Sequence, residues 1–72
     1  MDKWKAELLV KMRINRVTQK QLAEQLGVTP QYVNMVFSGS KSPKKAEINF
    51  NTAFETIISQ RLSQKQDSTQ RR

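Results

Sequence analysis

Apolar residues recur at intervals of three and four along most of this chain, a spacing that gathers them on one face of an α-helix. The first such stripe consists of Trp4, Leu8 and Met12. It predicts a helix from Asp2, which can cap it, to residue 13 or 14. Asn15 is expected to end this helix, because asparagine tolerates the left-handed backbone conformation.

The segment 18–38, TQKQLAEQLGVTPQYVNMVFS, predicts two short helices joined by a tight turn at Gly27. Thr18 and Gln21 match a capping box at the start of the first of these helices. Glycine enters the left-handed turn without steric cost, and Val28 is expected to be buried beneath it. The inner face of this helix consists of three residues, Leu22, Ala23 and Leu26.

The second helix of that pair has an unusual outer face. Thr29 is its expected cap, Pro30 takes the first helical position and Gly39 ends it. At about 100° per residue, the core face consists of Val33, Val36 and Phe37. The residues opposite or flanking that face are Gln31, Tyr32, Asn34, Met35 and Ser38, none of them charged. A face that is merely solvated normally carries charge.

A longer helix is predicted from 43 to about 62, with Ser42 and Pro43 repeating the cap-and-proline signal. Its inner stripe consists of Ala46, Phe50, Ala53, Phe54 and Ile57. The tail 63–72 has no apolar residue and is expected to fray or be disordered. The predicted fold is all-α: a compact four-helix bundle over 1–62, with a central helix-turn-helix at 18–38 and a long C-terminal helix.

Charge narrows the range of functions. The 72 residues include 13 Lys or Arg against 6 Asp or Glu, a net charge of +7, which favours nucleic acid first and anionic membrane second. The chain has neither cysteine nor histidine, and no glycine-rich phosphate loop, so an enzyme, a metal site or a cofactor is not expected. No apolar run approaches the ~20 residues of a membrane span, so we expect a cytoplasmic protein.

TQKQLAEQLGVTPQYVNMVFSGSKSP resembles the Xre-type helix-turn-helix domain, the lambda-repressor-like fold of phage and bacterial regulators. The resemblance covers about 8–43 and depends on the spacing of the small, glycine and apolar positions. The matching residues are Gln19, Leu22, Ala23, Leu26, Gly27, Val28, Val33, Val36, Ser38 and Gly39. It implies a sequence-specific regulator of transcription that binds double-stranded DNA, with repression as the expected effect.

The resemblance also implies roles for individual residues. The base-reading positions correspond to Gln31, Tyr32, Asn34 and Met35. Pro30 stands where many relatives have a polar reader, so that contact should be absent. Phosphate contacts are expected from Gln19, Lys20, Arg16, Thr29, Ser38, Lys41, Lys44 and Lys45. Because the reading face has no arginine, the commonest guanine contact is missing, and an A·T-rich half-site is predicted.

A second, thinner apolar line runs along the C-terminal helix and consists of Ile48, Ile58 and Leu62. It suggests a homodimer through this face. The alternative is that Ile58 and Leu62 cover Trp4 and the first helix. Two other functions also remain open: a DNA-binding antitoxin or phage accessory factor, and a protein-interaction module on the same fold.

Overall fold

The computed structural model describes the backbone of residues 2–70 and the side chains of residues 2–62. Within that range the chain forms four helices and no strand: α1 (Lys3–Ile14), α2 (Gln19–Leu26), α3 (Pro30–Ser38) and α4 (Ala46–Gln70). The predicted all-α, four-helix fold is confirmed. No helix in the described part of the chain is both long and apolar enough to cross a membrane.

The caps of α2 and α3 are those predicted. Thr18 accepts a hydrogen bond from the Gln21 amide at 3.1 Å, and the Gln21 side chain accepts one from the Thr18 amide at 3.0 Å, completing the capping box. Thr29 accepts from the Tyr32 amide at 3.1 Å. Gly27 and Gly39 end the two helices with φ of 75° and 94°, in the left-handed region. These local bonds fix the turn between α2 and α3.

The bounds of α1 agree with the prediction, since Asp2 is its N-cap, the helix ends at Ile14 and Asn15 is its C-cap, but the bonding at its two ends differs from the expected one. Asp2 lies at the N-cap, but its side chain makes no capping bond and lies instead 3.7 Å from the Lys5 ammonium. At the other end, Arg16 and not Asn15 is left-handed, with φ of 56°. The Arg16 amide bonds to the Arg13 carbonyl and the Val17 amide to the Met12 carbonyl, which is the Schellman pattern.

The bounds of α4 are also different from the predicted 43–62. The Ala46 amide bonds to the Pro43 carbonyl at 3.2 Å, so a tight turn follows Pro43 and the helix begins three residues later than expected. The helix then continues to Gln70. Residues 63–70 contain neither glycine nor proline, so no backbone feature ends the helix near Leu62. The division of the chain at residue 62 into a domain and a tail stays a prediction.

The core contains the predicted stripes of all four helices. Trp4, Phe37 and Phe50 form an aromatic cluster with ring centroids 5.5 to 6.5 Å apart, joining α1, α3 and α4. The buried apolar residues are Leu8, Met12, Val17, Leu22, Ala23, Val33, Val36, Phe37, Ala46, Phe50, Ala53, Phe54 and Ile57. Val28 was expected among them but is 36% exposed, and Val17 takes a buried place that was not predicted.

Arg61 joins distant parts of the chain. Its guanidinium donates to the carbonyls of Asn15 and Arg16, the latter at 3.0 Å, and to the Gln21 side-chain oxygen at 3.4 Å. Trp4 packs on Phe50 near the start of α1, and Asn15 meets Arg61 at its end. The two helices therefore run side by side in the same direction.

The proposed dimer line on α4 is only partly exposed. Ile48 and Leu62 are 67% and 57% exposed, whereas Ile58 is half-buried and packs against the core. For Ile58 this agrees with the alternative of a covering role, but Leu62 does not cover the core.

Candidate nucleic-acid interface

The outer face of α3 presents amide side chains on a rigid support. Val33 and Val36 have no exposed surface and Phe37 is 4% exposed, whereas Gln31 and Asn34 are exposed on the other side of the helix. Capping at both ends and close packing behind hold the helix in place. Gln31 and Asn34 therefore project outward from a fixed backbone, as base-reading side chains must.

The side chains of Tyr32 and Met35 are less exposed to solvent than those of Gln31 and Asn34. Both are half-buried, and Tyr32 packs against the core. Both are expected at base-reading positions, and that role stays a prediction. The packing of Tyr32 favours a supporting function for its ring, with only its exposed part free for contact.

The two hydroxyl residues at the ends of α3 differ in what they can donate. Thr29 uses its oxygen as an acceptor for the Tyr32 amide, so its hydroxyl proton is free for a phosphate. Ser38 donates its proton to the Met35 carbonyl at 3.1 Å and lies 3.3 Å from the Ser40 hydroxyl. A phosphate contact from Ser38 would require that hydroxyl to rotate away from the carbonyl.

Exposed basic side chains lie in the segments before and after α3 in the chain. Arg16 and Lys20 are exposed near the start of α2, where Gln19 is half-buried. After α3, the loop that leads to α4 carries exposed Lys41, Lys44 and Lys45. Residues 16–45 contain five Lys or Arg and one Glu, a balance of +4. An uncharged outer face on α3, with basic residues before and after it in the chain, is suited to a duplex, whose phosphate strands border its grooves.

The buried residues of α1 include one charged side chain, Lys5, which is only 6% exposed. A sequence signal for its burial was present: position 5 lies three residues before Leu8, four before Leu9 and seven before Met12, which is the spacing of one helical face.

Among the described residues no group of three or more Asp or Glu could hold a metal ion.

A short turn between α2 and α3, with α3 exposed beside basic loops, defines a DNA-binding helix-turn-helix unit. The family model described as helix-turn-helix matches residues 11–48, which is 38 of the chain's 72 residues. The chain belongs to this family, of the Xre or lambda-repressor-like type, and is a DNA-binding regulator of transcription. No curated protein and no solved structure matches it.

Proposed function

We propose that the protein is a sequence-specific repressor of the phage or bacterial type, which reads the major groove with α3. The observation that carries this proposal is the exposure of Gln31, opposite the buried Val33 and Val36, and of Asn34 at the flank of the same outer face. The action proposed is occupancy of an operator.

Base readout is assigned mainly to Gln31 and Asn34. An amide side chain can donate to and accept from adenine N6 and N7 at once, a pairing worth ~1–3 kcal/mol of discrimination. Met35 offers apolar surface to a thymine methyl. Since α3 carries no Lys or Arg, the proposed half-site is A·T-rich. Selection of bound sequences from a random duplex library tests this, and a guanine-dominated half-site would contradict it.

Phosphate contacts are assigned to the edges of the unit. Lys20, Arg16 and Gln19 precede α3 in the chain, and Lys41, Lys44 and Lys45 follow it, with Thr29 at its start. Neutralising ~5 phosphates gives a slope of log affinity against log salt near −4 to −5. Titration of a duplex at several salt concentrations measures this slope, and no binding of any duplex would favour a protein-interaction module instead.

Two variants can test the proposal that some residues read the bases while others contact phosphates and position the protein. Gln31→Ala should reduce the free-energy difference between specific and random-sequence binding by ~1–3 kcal/mol, because an adenine contact is lost. Lys44→Ala should weaken specific and random binding about equally and reduce the magnitude of the salt slope by about 1. Equal behaviour of the two variants on both kinds of DNA would contradict this assignment.

A symmetric dimer would place two α3 helices about one DNA turn apart, ~34 Å. The exposed apolar side chains on α1 and α4 support this part of the proposal, since a small domain has no internal use for them. They are Val10, Ile14, Ile48 and Leu62.

A further inference from the structure

A groove of about 450 Å³ lies between the second half of α1 and the start of α2. Four of its six lining residues are apolar and none is acidic: Leu9, Val10, Met12, Arg13, Val17 and Gln19. Met12 and Val17 are buried and form its floor, whereas Val10 is exposed at its rim. A volume of this size is within the ~300–1,000 Å³ that is typical of binding pockets.

The segment between α1 and α2, which forms one wall of the groove, is held in place by hydrogen bonds. The Val17 amide donates to the Met12 carbonyl at 2.8 Å, and the capping box of Thr18 fixes the start of α2. The guanidinium of Arg61 binds the two carbonyls that follow α1. A preformed groove of this kind can bind a partner without the cost of ordering its own backbone.

The surroundings of the groove are positively charged. Residues 8–23 contain four Lys or Arg and no Asp or Glu. Arg13 lines the groove, is exposed and forms no ion pair with any residue whose side chain the structure describes. Arg16 and Lys20 are also exposed, and each is the chain neighbour of a lining residue. An apolar groove with basic surroundings complements a surface that is apolar at its centre and acidic around it.

Neither DNA nor a second copy of this chain matches both properties of the groove. The phosphate backbone would meet the cations, but it offers no apolar surface to the floor. A two-fold contact centred on the groove would bring Arg13 close to the partner's Arg13. Because like charges placed opposite each other cost free energy, a self-contact is disfavoured here.

We propose that this groove is a docking site for an acidic amphipathic helix of another protein. Such a helix would place apolar residues, at intervals of three and four, against Leu9, Val10 and Val17. Its Asp or Glu side chains would lie beside them, where Arg13 can pair with a carboxylate through two parallel hydrogen bonds. The site contains no residue of α3, and binding of the helix needs no DNA.

The first test selects binders from a displayed library of amphipathic helices. The apolar positions of the library are fixed, and the positions beside them vary among Glu, Lys, Gln and Ala. Selection on the natural chain should enrich Glu at the varied positions, and NMR with an enriched peptide should show shifts of the backbone amides of residues 9–19. Enrichment of Lys, no enrichment, or shifts confined to other parts of the chain would overturn the inference.

Two pairs of variants then separate the charged contact from the apolar one, with the enriched peptide as the probe. Arg13→Glu should weaken peptide binding by at least about tenfold, because it replaces an attraction by a repulsion. Lys11→Glu, the same reversal on the other side of α1, should weaken it by less than about threefold. Val10→Gln should weaken it by about fivefold, and Ile48→Gln, at an exposed apolar position on α4, should not.

All four positions are exposed, so these variants should keep the fold. Equal effects within either pair would overturn the inference. The same variants also identify the other two occupants. If no peptide is enriched and Val10→Gln lowers self-association in sedimentation, the groove belongs to a dimer. If no peptide is enriched and Val10→Gln weakens duplex binding, the groove faces DNA, and either result would replace the docking site.

Discussion

Arg16 occupies a backbone position that suits glycine. It is the left-handed residue of the Schellman pattern at the end of α1, with φ of 56°, and it is exposed. The left-handed conformation costs a non-glycine residue ~1–2 kcal/mol, because Cβ approaches the backbone. A residue kept in a strained conformation suggests a use for its side chain, and the proposed phosphate contact provides one.

Arg16→Gly should therefore change stability and DNA binding in opposite directions. We expect the free energy of unfolding to rise by ~0.5–1 kcal/mol, since part of the relieved strain is offset by the greater entropy of the unfolded chain. DNA affinity should fall, with the magnitude of the salt slope reduced by about 1. Chemical denaturation and duplex titration measure the two effects.

Arg16→Ala is the control for this experiment. Alanine removes the charge but keeps the cost of the left-handed backbone, so it should weaken DNA binding without the gain in stability. If Arg16→Gly were less stable than the natural chain, the account of strain would be wrong. Unchanged salt slopes in both variants would remove Arg16 from the phosphate contacts.

At the scale of single residues, the sequence predicted positions whose environment depends on neighbours in the same helix. Val33 and Val36 are buried and Gln31 is exposed because helical periodicity alone decides their direction. The burial of Val17 was not predicted, although the sequence contained a signal for it. In a Schellman pattern, the residue that follows the left-handed one often packs on the residue five positions earlier, and for Val17 that residue is Met12. Val28 has the same position after α2, but there its partner is the small Ala23.

At the scale of elements, Arg61 links three parts of the fold. Its guanidinium meets the two carbonyls that follow α1 and the Gln21 oxygen that caps α2. It thereby ties α4 to the segment that leads into the DNA-binding unit. These partners lie 40 to 46 residues away in the chain, so no local pattern could have predicted the contact. Helix ends set by local caps were predictable, whereas those of α4 were not.

Arg61→Lys should lower the free energy of unfolding by ~1–2 kcal/mol, although it keeps the charge, because one ammonium cannot span acceptors that a planar guanidinium reaches together. Arg61→Met should cost at least as much. Denaturant unfolding measures both, with Gln60→Met as the control at the adjacent exposed position. If Arg61→Lys were as stable as the natural chain, charge alone would account for the role of Arg61.

At the scale of the whole molecule, the exposed apolar side chains are not evenly spread. Leu62 follows Arg61, and Ile14 precedes the Asn15 carbonyl that Arg61 binds, so Leu62 and Ile14 lie at the same end of the α1–α4 pair. They are 57% and 74% exposed. Ile48 is fourteen residues from Leu62, ~21 Å along the helix. A compact dimer patch is therefore more readily built from Ile14 and Leu62 than from the α4 line alone.

We predict that Leu62→Glu weakens self-association by roughly 2 kcal/mol, about thirty-fold, because a charge would enter an apolar contact. Ile48→Glu is the matched control, since it makes the same change at a similarly exposed site on the same helix. Its effect should be smaller, because Ile48 lies far from the Ile14 and Leu62 patch. Sedimentation at micromolar concentration, with and without a duplex carrying two half-sites, measures the difference. A natural chain that stays monomeric under both conditions would rule out the dimer, and a larger effect of Ile48→Glu would move the contact to the start of α4.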